Sequence, residues 1–407
     1  MPLDRTIKFT PCAFALSFIF FAFAPADVHA QEDVQTEQDG QAQDVQVLRL
    51  WQSSVPPLAA KSYVLYDFTS NQILSNQDSD KRFEPASLTK LMTAYVTFSA
   101  LRLNQISLGQ STLPPPEALH SEESESRMFL DKNKAVTIAE LLRGLIVQSG
   151  NDAARVIARV IAGNEDSFAE LMNKEAQRLN MKNTHYINAT GVPHPQHYST
   201  AYDLMLLAAA IVRDFPEHYA LFGIRESQYN HIPQVNRNRL LWMDPYADGM
   251  GTGYKEGSGF YLVASAKRDQ RRLISVVLGA ASDSSRATES QRLLNFGFQN
   301  FEAVRLYRAN QPVAGVRLWK GTDSRVNVGF RKDFYLSIPK GQLEQMKATM
   351  ETRQPLIAPI ANGQLIGVLK LALNGQPYAE VPLRALDSVP QANVFSRGWD
   401  SIRLLFQ

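Results

Sequence analysis

Apolar and polar positions follow three different rhythms along this chain, and the rhythms divide it. From Lys61 to Leu74, the apolar residues Tyr63, Leu65, Tyr66, Phe68 and Ile73 flank Thr69-Ser70-Asn71, the composition of a hairpin turn between two strands. A helical spacing follows, starting near Pro85 and carrying Leu91, Met92, Tyr95, Val96 and Phe98. A second helix is predicted after Val136-Thr137, with Ile138, Leu141, Leu142, Leu145 and Ile146 on its apolar side and Ser149-Gly150-Asn151 as its stop. A third runs from Asp152 through Val156 and Val160 to Gly163, and residues 167–179 and 200–214 read as further amphipathic helices. Residues 259–266 and 272–280 instead alternate or run apolar in the manner of paired strands. An α/β core with a sheet and a helical cluster is therefore expected.

From Phe301 the rhythm shortens. Val316-Leu318, Val326-Val328, Phe334-Ile338, Ile366-Leu373 and Ala379-Leu383, separated by Gly, Asn, Pro and Lys, predict a small all-β domain over 301–387. In the last stretch, 388–407, Val394, Phe395, Trp399, Ile402, Leu405 and Phe406 return to helical spacing, with Arg397, Asp400 and Arg403 away from them. A helix of this length is too short to span a bilayer but can lie in the interface with Trp399 at headgroup level. Docking on the β domain is the alternative. Membrane attachment is expected, because the segment follows Val389-Pro390, and proline uncouples it from the preceding strand.

The beginning carries Arg5 and Lys8, then an apolar run from Cys12 to Phe23, then Val28-His29-Ala30 before Gln31. Residues 1–30 thus read as a secretory signal peptide. The run is shorter than the ~20 residues that an N-terminal spanning helix needs. Cleavage after Ala30 would remove Cys12, the chain's one cysteine, which excludes a disulfide, a cysteine nucleophile and a zinc–cysteine site from the mature protein. The Gln/Asp/Glu-rich stretch that follows has no apolar periodicity, so 31–57 is expected to be a disordered spacer, with the fold beginning near Leu58.

Composition bounds the rest. With 407 residues, 44% hydrophobic and 20% charged, the chain is long enough for two domains and is neither disordered overall nor a multi-span membrane protein. The net charge of +2 would survive signal removal, which takes two cations and two anions, and gives no warrant for a nucleic-acid partner. His194 and His197 are close, but Pro195 between them and the lack of other clustered ligands favour an ordinary loop over a metal site, and no cofactor is expected.

Three short segments carry chemistry. In Ser87-Leu88-Thr89-Lys90, a spacing of three along a helix brings the Lys90 amine to the Ser87 hydroxyl, from which it can accept a proton if burial and nearby positive charge lower its pKa. Alone, such a pair is as readily a surface serine and lysine. Ser149-Gly150-Asn151, between two predicted helices, is equally the composition of a stop and a cap. Gly251-Thr252-Gly253 precedes an apolar strand and could offer a strand edge to an extended peptide, though glycine-rich turns are common.

Together the three resemble the Ser-x-x-Lys, Ser-x-Asn and Lys-Thr-Gly set of penicillin-binding proteins and serine β-lactamases. With their flanks, Pro85 to Thr93 and Ile146 to Ala154, and with His197 to Ala201 and Leu293 to Phe298, the chain resembles the low-molecular-mass penicillin-binding proteins, the serine-type D-alanyl-D-alanine carboxypeptidase family, from Tyr63 to the terminal helix. The resemblance implies an α/β (α+β) domain of the penicillin-binding-protein and serine β-lactamase type over 58–300, followed by the small all-β domain. It implies Ser87 as nucleophile on the carbonyl between two D-alanines of a peptidoglycan stem peptide, Lys90 as base, and Ser149 as proton relay to the leaving group. It further implies that Asn151 holds the substrate amide, that Thr252 and Arg286 bind the terminal carboxylate, and that the backbone N–H groups of Ser87 and Tyr254 form the oxyanion hole. Gly253 belongs to the same segment. β-Lactams would be covalent inhibitors, and the site would face the periplasm from the inner membrane.

Position 251 departs from the family: where a lysine is expected, Gly251 stands. Its loss should leave Lys90 more often protonated and bind the carboxylate less tightly. Lys255 lies roughly 13 Å along the same strand at ~3.3 Å per residue, and Arg286, Arg237 and Arg239 are other sources of charge that sequence does not rank. A working carboxypeptidase and a catalytically impaired, membrane-tethered binding module therefore both remain open. A β-lactamase is disfavoured by the absence of a Glu-x-x-Leu-Asn segment between Asn151 and Gly251.

Overall fold

The computed structural model describes residues 48–49, 55, 57–119 and 125–404, so the expected signal peptide, most of the expected spacer, and Leu405 and Phe406 lie outside the described residues. The chain divides into two compact units, one of residues 47–304 with 335–343, the other including 305–334 and 344–404.

The larger unit is built on an antiparallel sheet. Its strands β1 (Ser62–Asp67) and β2 (Gln72–Gln77) form the expected hairpin, and β3 (Ala247–Lys255), β4 (Gly259–Arg268) and β5 (Arg271–Ala280) form a meander, giving the order β2-β1-β5-β4-β3. Two residues of the expected spacer, Leu48–Arg49, pair in parallel beside β2, where an edge strand offers unpaired backbone groups. All six residues of β1 are buried, as are six consecutive residues in each of β4 and β5. Both faces of the sheet are therefore covered, which is why these strands read as apolar runs rather than clean alternations.

The larger unit's helices longer than a single turn are α1 (Thr89–Arg102), α2 (Ile138–Arg143), α3 (Asn151–Ala162), α4 (Glu165–Arg178), α5 (Ala201–Asp214) and α6 (Asp283–Asn300). Val64, Tyr66, Ile274 and Val276 share a core with α1, α3 and α5. On the other face Gly297 of α6 lies close against Leu65 and Leu273. Every residue of α1 from Thr89 to Phe98 is buried, so α1 is the central helix, polar positions included. Local signals set several boundaries. Thr137 and Glu140 form a capping box at the start of α2, Thr200 caps α5 through Asp203 N–H, and Gly163 ends α3 in the left-handed region.

The smaller unit holds a five-stranded antiparallel sheet. Strands β6 (Pro312–Arg317), β7 (Arg325–Gly329), β8 (Met346–Thr352), β9 (Leu365–Leu373) and β10 (Gln376–Ala385) take the order β6-β7-β10-β9-β8 over a core that includes Val316, Val326, Val328, Leu369 and Leu383. The sequence pattern missed β8, whose alternating Lys, Thr and Glu positions mark it as a half-exposed edge. The expected strand at Phe334–Ile338 exists, but residues 335–343 cluster with the larger unit. There Ser337 is held by the buried Asp67 carboxylate and by Ser70 Oγ, 2.9 Å away. The terminal helix α7 (Val394–Leu404) is fixed by its polar side, Asp400 accepting a 2.7 Å hydrogen bond from Lys320 N–H. Its apolar residues Val394, Phe395, Trp399 and Ile402 are exposed.

Candidate active site

Ser87 sits in a single 3-10 turn, Ala86–Leu88, that leads into α1. Ala86 has φ +48°, a left-handed conformation uncommon for a residue with a side chain and found where a chain must turn sharply. Lys90, one turn on and almost fully buried, places Nζ 3.1 Å from Ser87 Oγ and donates a 2.7 Å hydrogen bond to the Thr190 carbonyl. A neutral amine has two N–H groups and one lone pair, so the carbonyl can take a proton bond while the lone pair faces the serine hydroxyl. Burial pulls the Lys90 pKa down from 10.5 to about 7, helped by Arg237 and, less, by Arg155, and opposed by Glu125 and Asp152. A share of the amine large enough to act as a base is then free at neutral pH.

The Thr190 carbonyl is held in place by its own loop. Asn188 Oδ1 accepts hydrogen bonds from Thr190 N–H, Thr190 Oγ1 and Gly191 N–H, and Thr93 on α1 donates to the Ala189 carbonyl at 2.7 Å. His197 shares a 2.8 Å hydrogen bond with Thr89 and accepts Ile187 N–H; burial lowers its pKa to about 4, so it is a neutral core histidine. Its place in the fold is the latch between this loop and α1.

At the second segment, α2 passes into a π-helical turn, Gly144–Gln148, which ends at Ser149 with φ +61°. Such wide turns in a helix mark functional positions. Ser149 is thus the stop that the sequence suggests, made through its backbone, but Gly150 is the N-cap of α3 and no side chain caps it, so the side chain of Asn151 is not spent on capping. Asn151 Nδ2 donates instead to Glu125 at 2.7 Å, and Glu125 pairs with Arg155 at 2.9 Å. Asp152 accepts Met128 N–H and Leu130 N–H, tying residues 125–130 across the start of α3.

Gly251-Thr252-Gly253 precedes the apolar strand β4, as expected, and itself lies within strand β3, which is the edge of the sheet. A β-carbon at Gly253 would stand 3.1 Å from the Pro85 carbonyl. Its absence lets the edge approach the turn that carries Ser87. Arg286, from α6, donates 2.8 and 3.3 Å hydrogen bonds to the Gly253 and Tyr261 carbonyls and pairs with Asp283. Lys255 is tied to Glu84 at 3.0 Å at the end of the strand.

These pieces meet in one open cleft of roughly 1220 Å³ lined by Ser87, Ser149, Asn151, Thr252, Gly253, Tyr254 and Arg286. Behind it Lys90 and Gly251 line a small recess with Ser87, Ser149, Thr252 and Arg237. All nine residues picked out from the sequence are thus brought together. Sequence reasoning missed Thr190, Gly191, Glu125 and Arg155. Asn188 before a Thr-Gly pair was a readable turn signal; Glu125, in a run of serines and glutamates, carried none.

A family model described as D-alanyl-D-alanine carboxypeptidase matches residues 51–282, and one described as the C-terminal domain of penicillin-binding protein 5 matches residues 301–391. The D-alanyl-D-alanine carboxypeptidase DacC of Escherichia coli (strain K12) is 37% identical over 396 residues, which cover 96% of this chain and 94% of that protein. The crystal structure of penicillin-binding protein 5 from Haemophilus influenzae is 39% identical with a TM-score of 0.80, covering 83% of this chain and 100% of that one. The ampicillin-bound form of penicillin-binding protein D2 from Listeria monocytogenes is 26% identical with a TM-score of 0.55, over 60% of this chain and 100% of that one.

Proposed function

The chain belongs to the D-alanyl-D-alanine carboxypeptidase family, and on that premise we propose that it removes the terminal D-alanine from peptidoglycan stem peptides through an acyl-enzyme on Ser87. The observation that carries this reading is the Ser87–Lys90 pair: a buried amine 3.1 Å from the hydroxyl, its pKa lowered to about 7.

Neutral Lys90 takes the Ser87 proton as Oγ attacks the carbonyl carbon between the two D-alanines. The oxyanion is held by the N–H groups of Ser87 and Tyr254. The C–N bond then breaks, with Ser149 passing a proton to the departing D-alanine amine, and water hydrolyses the ester to release the shortened peptide and regenerate Ser87. Thr252 and Arg286 hold the terminal carboxylate, while Asn151 holds the substrate amide. β-Lactams acylate the same serine. The lysine that the family carries at 251 is absent, yet the low pKa of Lys90 supports a working base in this chain.

Residues 58–300 form the catalytic domain in this reading and 301–387 a β-rich companion. The protein is exported and rests on the periplasmic face of the inner membrane through α7, supported by that helix's exposed apolar side. Among the described residues no helix is long and apolar enough to cross a membrane.

Labelling with fluorescent penicillin, and D-alanine release from an N-acylated peptide ending in D-Ala-D-Ala, test the reading. Ser87→Ala is expected to abolish both. A wild-type protein that neither labels nor releases D-alanine refutes it.

A further inference from the structure

Lys90 is buried, and a base in that position is useful only if something keeps it uncharged. Burial supplies part of that bias, and the rest must come from a fixed positive charge. Position 251, which opens on the recess beside Lys90, has no side chain to provide one, and Leu91 and Leu88 occupy the space next to it: a β-carbon there would lie 3.1 Å from Leu91 Cδ2 and 3.8 Å from Leu88 Cδ2.

The cations around the cleft differ in what already neutralises them. Lys255 pairs with Glu84, Arg155 with Glu125, and Arg239 with Asp283 at 3.4 Å. Arg286 pairs with Asp283 and donates to two strand carbonyls. Arg237 alone among these has no carboxylate within ion-pairing distance among the described residues, and it alone of them lines the recess that holds Ser87, Lys90, Ser149 and Gly251.

Its placement is built rather than incidental. Arg237 stands between Asn236 and Asn238, both buried. Asn236 donates to the Ile224 carbonyl at 2.8 Å and accepts Asn238 N–H at 2.9 Å, while Asn238 donates to the Gly249 carbonyl at 3.0 Å. Through this bend the two buried asparagines are anchored inward, which leaves the exposed Arg237 between them turned to the cleft it lines. Arg237 Nε then donates a 3.0 Å hydrogen bond to the Gln148 carbonyl, one residue before Ser149. The guanidinium is thereby pinned at the junction of the second and third chemical segments.

We propose that Arg237 is the positioning residue of the proton transfer: from across the recess at Gly251, its charge holds Lys90 as the free base that takes the Ser87 proton. This rests on the reading of Ser87 and Lys90 as nucleophile and base. The charges that act most strongly on Lys90 are Arg237 and Arg155, which favour the neutral amine, and Glu125 and Asp152, which oppose it. Arg155 and Glu125 are a close pair and largely cancel at a distance. Arg237 therefore decides the sign of what remains. Its charge meets cleft water, so its effect is partly screened by solvent and salt.

The test is the pH profile of the second-order rate of Ser87 acylation by fluorescent penicillin, measured on the full chain from pH 5.5 to 10. For the wild type, the rate rises through the Lys90 titration near pH 7 and levels off above it. Arg237→Gln is expected to move that limb upward by roughly half to one pH unit, lowering the rate about threefold to tenfold at pH 6 and little on the alkaline plateau. Arg237→Lys is expected to keep the limb in place, and Gly251→Lys added to Arg237→Gln to bring it back. Arg237→Met, which keeps the aliphatic stem, replaces the glutamine variant if that variant melts early. An Arg237→Gln or Arg237→Met protein whose rate falls equally at every pH, with the limb unmoved, has lost only a carboxylate contact, and that result overturns the proposal. An unchanged profile overturns it too. A wild-type chain that is not acylated at any pH refutes the nucleophile assignment and this inference together, whereas acylation with an unmoved limb refutes this inference alone.

Discussion

A β-carbon on Gly191 would stand 1.9 Å from the carbonyl oxygen of Ala86. The loop that supplies Lys90 with its carbonyl partner closes on the turn before Ser87 only because position 191 has no side chain. Its φ of +87° also disfavours any residue but glycine.

The Ala86 carbonyl is backbone and a β-carbon is fixed by the backbone that bears it, so neither can rotate away. Gly191→Ala is expected to cost on the order of 3 kcal/mol of stability and to slow penicillin acylation of Ser87 at least about tenfold. Thermal melting and gel-based labelling measure the two effects. Wild-type behaviour in both would mean that the loop does not need this close approach.

Lys90→Met removes the proposed base and, with it, a buried group that resists charging. A lysine whose folded pKa lies near 7 and whose unfolded pKa lies near 10.5 binds fewer protons folded than unfolded between those values. Its destabilising effect is therefore full below about pH 7 and fades as pH rises toward 10.5. The melting-temperature difference, Lys90→Met minus wild type, is expected to be most positive at pH 6 and to shrink steadily by pH 10. The lost bond to the Thr190 carbonyl lowers that difference equally at every pH. A difference that does not change with pH would mean that Lys90 is not held as a depressed base.

Glu125 anchors Asn151 and opposes the neutral form of Lys90. Glu125→Gln is expected to weaken substrate binding, raising KM for D-alanine release about threefold to tenfold through a less constrained Asn151. The same substitution removes a negative charge near Lys90, so the acid limb of the acylation profile should move downward. The two readouts separate the contact from the charge, and a limb that moves upward would contradict the electrostatic assignment.

Phe395 and Trp399 project from α7 with 90% and 59% of their surfaces exposed. In the membrane reading, replacing both with glutamate removes apolar area that would enter the lipid interface and adds repulsion from anionic headgroups. Co-sedimentation with vesicles containing anionic lipid is expected to fall about tenfold or more, while acylation of Ser87 in solution is unchanged. Equal sedimentation of the two proteins would return α7 to a structural role.

Much of this fold is local and was therefore legible. The hairpin around Thr69-Ser70-Asn71, the helix start after Val136-Thr137 and the glycine stop at Gly163 each depend on residues a few positions apart. The Ser87–Lys90 pair is of the same kind, since helical spacing alone brings one to the other. The exposed apolar face of α7 was also readable, because periodicity reports a face whether or not anything covers it. Periodicity failed at α1, where polar Thr89, Lys90, Thr93 and Thr97 are buried along with the apolar residues. The helix is central, so its polar positions are covered as well, with Thr93 bonded to the Ala189 carbonyl.

What the sequence determined by itself was the set of chemical groups and the short-range geometry of each: a serine and lysine on one helical turn, a serine and asparagine at a helix junction, a glycine where a lysine is expected. Only the tertiary structure decided what those groups experience. It assigned residues 335–343 to the larger unit through Ser337 and Asp67, gave Lys90 the Thr190 carbonyl, held Asn151 by Glu125, and left Arg237, unlike Lys255, Arg239 and Arg286, in the recess of Lys90 without a carboxylate partner among the described residues. Those contacts join segments far apart in the chain, and their energies depend on distance, burial and existing counter-ions, which the order of residues does not encode locally.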